Sequence, residues 1–190
     1  CALPILAYLV FGFGAVLPGV FETAEVIVGL VERFAKNGKI EGRPFGWTGG
    51  EPPEGGTTYG RERRAVLIQA GIGLAMFVLV VVWPKTFFAM AWGFAFFFLD
   101  PLLYWIYRKE KNHIGRSLLG QMAAGDNMRF VALLVSGFIC GGLWEGWNLH
   151  ARTKWIYTVP FFDELKLGEM PIIGFLGFPP FVLECYAMIN

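Results

Sequence analysis

The 190-residue chain is 55% apolar, 17% aromatic and only 16% charged, with a formal net charge of +1. Soluble domains carry charge on about 25% of residues, so the polar surface of a water-exposed globule is missing, and 16 basic against 15 acidic side chains make no basic field for nucleic acid. Three cysteines exclude a disulfide scaffold and the hydrophobicity excludes disorder, while the 25 glycines, about 13% against a usual 7%, suit close-packed membrane helices.

The composition therefore predicts an all-α, polytopic transmembrane bundle forming a single membrane domain over residues 1–190. The first 34 residues are apolar up to Leu17, interrupted by Pro18-Gly19, and continue over Phe21–Phe34 with Glu22, Glu25 and Glu32 at helical spacing. They read as one long helix kinked at Pro18 (about 3–33), the rival being two segments with a turn at Pro18-Gly19. Cys1 is either a lipidated terminus or the first residue of a fragment. Gly42–Gly60 holds seven Gly and three Pro, too many for a long helix. The 36–62 loop is read as a flexible cytoplasmic connection, with a folded lid as the alternative.

Four further stretches approach the roughly 20 apolar residues that a span requires: Ala65–Trp83, Thr86–Tyr107, Phe130–His150 and Pro171–Ile189. Between the last two, 163–170 suggests one helical turn. Lys and Arg fall twelve in the first and third connections and four in the second and fourth. By the positive-inside rule this predicts five spans with the N-terminus outside and the C-terminus inside.

Acids at bilayer depth are costly and face protein or water. Glu22, Asp100 and Glu184 fall at one level in the cytoplasmic half, each near a proline (Pro18, Pro101, Pro179-Pro180). Glu145 lies about 7 Å from the middle on the outer side, beside Asn148 one turn on. The stripes Ala15-Pro18-Glu22-Glu25-Gly29 and Gly137-Gly141-Glu145-Asn148 put acids on small-residue faces, which predicts that they turn inward. Gly142 and Gly146 suggest a second close-packed face. Glu22, Asp100 and Glu184 are expected to converge, with Arg33, Arg108 or Arg129 reaching in, and the last helix to break at Pro179-Pro180.

These five side chains are the candidates for acid/base chemistry, with structural polar contacts or an ion path as alternatives. His113 and His150 lie far apart and Cys140 and Cys185 show no ligand spacing, so no metal site is expected and no cofactor is indicated. Nucleotide, zinc-protease and serine-hydrolase motifs are absent from the sequence.

Phe97–Trp105 (FFLDPLLYW), Gly125-Asp126, Cys140–Phe162 (CGGLWEGWNLHARTKWIYTVPFF) and Glu169–Tyr186 (EMPIIGFLGFPPFVLECY) together resemble a group of small bacterial polytopic membrane proteins. That likeness implies a multi-pass protein of the bacterial inner membrane and no particular reaction. Glu145 with Trp144, Trp155-Ile156-Tyr157 and Glu169 or Pro171 is loosely similar to the integral-membrane lycopene cyclases and carotenoid hydratases, although the Pro-x-Glu-Glu signature of the cyclases is absent. Two functions are therefore expected to compete: acid/base catalysis on a hydrophobic lipid or isoprenoid, and a non-catalytic subunit of a larger membrane complex that binds lipid or pigment. A transporter is a third. Membrane lipids and protein partners within the membrane are the expected contacts.

Overall fold

The computed structural model describes residues 2–36, 59–107, 117–123, 125–158 and 164–190. Cys1, Arg108, His113, Asp163 and the glycine-rich stretch through residue 58 lie outside them, as does the Ala15 side chain. Seven helices follow in order: α1 (Ala2–Lys36), α2 (Tyr59–Val82), α3 (Pro84–Phe87), α4 (Phe94–Tyr107), α5 (Leu118–Ala123), α6 (Met128–His150) and α7 (Phe178–Ile189). Two 3-10 segments, Phe88–Trp92 and Ile172–Gly177, join α3 to α4 and lead into α7, and a minimal hairpin pairs β1 (Lys166–Leu167) with β2 (Met170–Pro171). Among the described residues three helical stretches are long and apolar enough to cross a membrane, and a bent pair makes up to a fourth if it is one span. The chain is an all-α, multi-pass membrane protein.

Helix α1 runs unbroken through Pro18 for 35 residues, about 52 Å at 1.5 Å per residue. Its neighbours are α6 and α7: Val20 and Ala24 are buried in one cluster with Ala132, Leu133, Val182, Leu183 and Ala187, and the Phe21 ring meets Tyr186 at 6.4 Å. The packing face corrects the expected orientation. Pro18, Glu22, Glu25 and Gly29 are exposed, and it is the Val20–Ala24 side that meets the bundle. Branched and small apolar side chains fill the interhelical space, Glu22 is left on the opposite face, and Glu25 stands at the edge of the packed one.

The stripe on α6 is placed as its spacing suggests. Gly137, Gly141, Glu145 and Asn148 are all buried. A Cβ on Gly137 would stand 2.9 Å from the Cα of Pro179, and one on Gly141 would enter the Phe178 ring at 2.4 Å. The two glycines thus form the groove that seats the start of α7. Gly142 and Gly146, expected to pack closely as well, have nothing within 4 Å and are open in this chain.

Two predicted spans are not continuous helices. Thr86–Tyr107 is broken: the Pro84–Trp92 part meets Phe94–Tyr107 at 43° across Gly93. The last span begins as a 3-10 helix and becomes α-helical at Phe178, so Pro179 and Pro180 occupy the first turn of α7. There their missing N–H groups cost no ladder bond, and the expected break falls just ahead of them. The two breaks touch, since a Cβ on Gly93 would lie 3.2 Å from Pro180 and Trp92 stands edge-on to Phe181 at 5.3 Å. The turn expected in 163–170 is instead the β1–β2 hairpin, closed by Gly168 at φ +71°.

Candidate functional site

The acids separate into two polar layers about 24 Å apart along α6, from Arg129 to Glu145 at 1.5 Å per residue. At the Arg129 end, Asp100 is completely buried. Its Oδ1 accepts the backbone N–H of Leu118 at 2.7 Å, and its Oδ2 accepts that of Leu119 at 2.8 Å and the Ser117 hydroxyl at 3.4 Å. The Gln69 side chain of α2 adds a further hydrogen bond. Ser117 Oγ in turn accepts the Gly120 N–H at 3.0 Å, the geometry of a helix N-cap. A carboxylate here answers the otherwise unpaired donors at the start of α5, and it ties α2, α4 and α5 together.

Beside it, Arg129 pairs with Glu25, which joins α6 to α1. Tyr186 and Asp126 lie in the field of the same guanidinium, Asp126 Oδ1 accepts the Met128 N–H at 3.0 Å, and Gln121 reaches the Tyr186 hydroxyl at 3.5 Å. Of the three arginines expected to reach inward, Arg129 does so, and its partner is Glu25.

At the other end Glu145, 3% exposed, sits under the hairpin. Its Oε1 accepts the Glu169 N–H at 2.6 Å and its Oε2 accepts Asn148 Nδ2 at 3.2 Å. Asn148 also bonds both backbone groups of Trp155, accepting from its N–H at 2.7 Å and donating to its carbonyl at 2.9 Å. The two residues act as a clamp that folds 151–158 and the hairpin back onto the end of α6. Trp144 Nε1 donates to the Tyr157 hydroxyl at 2.9 Å, Lys166 Nζ donates to the Tyr157 carbonyl at 3.1 Å, and Lys154 pairs with Glu169 at 3.4 Å. Exposed His150 bonds the Gly146 carbonyl through Nδ1.

The expected convergence of Glu22, Asp100 and Glu184 is not what the geometry gives. No hydrogen bond or ion pair joins any two of them among the described residues. Asp100 is held by backbone donors and needs no second acid or cation. Glu22 faces away from the bundle, and Glu184 is half-buried on α7 without a hydrogen bond or ion pair among the described residues. No group of three or more His, Cys, Asp or Glu among the described residues is placed to hold a metal ion.

Sequence reasoning missed Ser117, Gln69 and the Glu169 N–H. A signal existed for the first: Ser immediately before Leu118-Leu119-Gly120 is an N-cap pattern. Backbone donors such as Glu169 N–H leave no mark in a sequence. In comparisons with protein-family models, curated proteins and solved structures, nothing matches this chain.

Proposed function

We propose that this protein is a non-catalytic subunit of a larger assembly in the bacterial inner membrane. In this reading it spans the membrane five times, with its N-terminus outside and its C-terminus inside. α1 supplies a fifth span beside the three long apolar stretches and the bent pair, and lipids surround the bundle. The observation that carries the reading is the occupancy of the two most buried acids. Asp100 accepts from two backbone N–H groups and a hydroxyl, and Glu145 from a backbone N–H and an amide. Carboxylates so engaged spend their acceptor oxygens on the protein's own donors and leave little to offer a substrate. Its contribution is to lock short, otherwise weakly held segments onto the spans.

A second reading, acid/base chemistry on a hydrophobic lipid or isoprenoid, is favoured by Glu184, which is half-buried without a hydrogen bond or ion pair among the described residues. One measurement separates the two. Extraction from native membranes into lipid nanodiscs, followed by light scattering, is expected to give a polypeptide mass well above the 21.2 kDa of a single chain. A single chain travelling alone would overturn the subunit reading and leave chemistry at Glu184 as the better account.

A further inference from the structure

The outward face of α1 is the least explained surface of the molecule. Thr23 Oγ1 lies 3.8 Å from Cys140 Sγ, and Cys140 stands at the centre of α6, twelve residues from Met128 and ten from His150. Glu22, the neighbour of Thr23 and about one turn from Glu25, is thereby set within the depth of the spans. It is exposed and has no hydrogen bond or ion pair with any described residue. Gly19, Glu22, Val26, Gly29 and Arg33 follow one another at steps of three and four, and all five are exposed. Nothing lies within 4 Å of a Cβ built at Gly19 or Gly29.

We propose that this face of α1 is the docking surface for a transmembrane helix of another protein that presents one basic residue opposite Glu22. The inference rests on the subunit reading above and names the face and its partner. An ionisable side chain inside the bilayer is expensive, and such groups pair with other polar groups. Charge complementarity therefore selects a cation. Gly19 and Gly29 bracket it at distances of about 5 and 10 Å along the helix and admit a second backbone at close range. A second copy of this chain is disfavoured, because a two-fold axis along the membrane normal would set Glu22 against Glu22 at equal depth. A lipid amine belongs at the headgroup level, far from residue 22.

The test is photo-crosslinking in native membranes, with a benzophenone amino acid at Val26 on the stripe and, as a control, at Leu74 on α2. The expected product at Val26 is an adduct to an apolar segment of another protein that contains Lys or Arg. Glu22→Lys should lower its yield at least tenfold, and exchanging the partner's basic residue for Glu should restore it. Because Glu22 has no hydrogen bond or ion pair with any described residue, Glu22→Lys is expected to keep the wild-type thermal unfolding profile in detergent. Adducts at Val26 confined to lipid or to a second copy of this chain, or an adduct indifferent to Glu22→Lys, would overturn the proposal. A high-mass assembly crosslinked only from Leu74 would remove this face and leave the subunit reading standing. A solitary chain would remove both.

Discussion

A fully buried carboxylate is tolerable when its charge is spread over several donors, and Asp100 meets that condition with backbone groups. Truncating it to Ala strands two buried N–H groups and a hydroxyl, each costing about 1–3 kcal/mol. Asp100→Ala should thus lower stability by about 3 kcal/mol or more, while Asp100→Asn, which keeps one acceptor oxygen, should lose roughly half as much. Thermal unfolding of the detergent-purified variants checks this ranking, and an Ala variant as stable as the wild type would contradict the clamp. The weight of Asp100 was legible in the sequence, since an acid within FFLDPLLYW must be paid for somehow. Its partners were not, because they are main-chain atoms eighteen and nineteen residues further on. Glu22 shows the converse: its place in a stripe of small residues predicts an inward side chain, and it is exposed. In a membrane both lipid and bundle interior are apolar, so polarity alone does not say which side of a helix faces in.

At the scale of elements, the two broken spans lean on one another, and the last also leans on α6. Gly93 meets Pro180 on one side of α7, and Gly137 and Gly141 receive Phe178-Pro179 on the other. The glycines were legible as a close-packing stripe, and the proline pair as a discontinuity. The 43° break at Gly93 was not, because its cause is tertiary contact with a segment more than eighty residues away. The atoms behind each glycine set different penalties. A methyl at Gly137 meets the backbone of Pro179, which cannot rotate aside, whereas one at Gly141 meets the Phe178 ring. Overpacking of this kind costs about 1–3 kcal/mol. Both Ala variants should be destabilised, and Phe178→Leu should restore Gly141→Ala but not Gly137→Ala. Equal rescue of the two, read from their unfolding midpoints, would show that the Phe178 ring is not what limits the approach.

Across the whole molecule, the chain direction of the spans links the two polar layers to the charge bias of the loops. Arg129 opens α6 and His150 closes it, so the Glu25–Arg129 layer and the Glu145–Asn148 clamp lie at opposite ends of one span. By the positive-inside rule the Arg129 end is expected in the cytoplasm, since the connections at that end carry twelve of the sixteen Lys and Arg residues. The hairpin that Glu145 holds is then expected outside, with Leu167, 63% exposed, open to reagents. With Cys1, Cys140 and Cys185 replaced by Ser, a cysteine at Leu167 should react with a membrane-impermeant maleimide on intact cells. One at Gly49 should react only after the cells are permeabilised. Labelling of both from the same side would break the alternation on which a five-span count depends. The crossings between the two positions would then be even in number, as they are if the bent pair at Gly93 re-enters on the side from which it came.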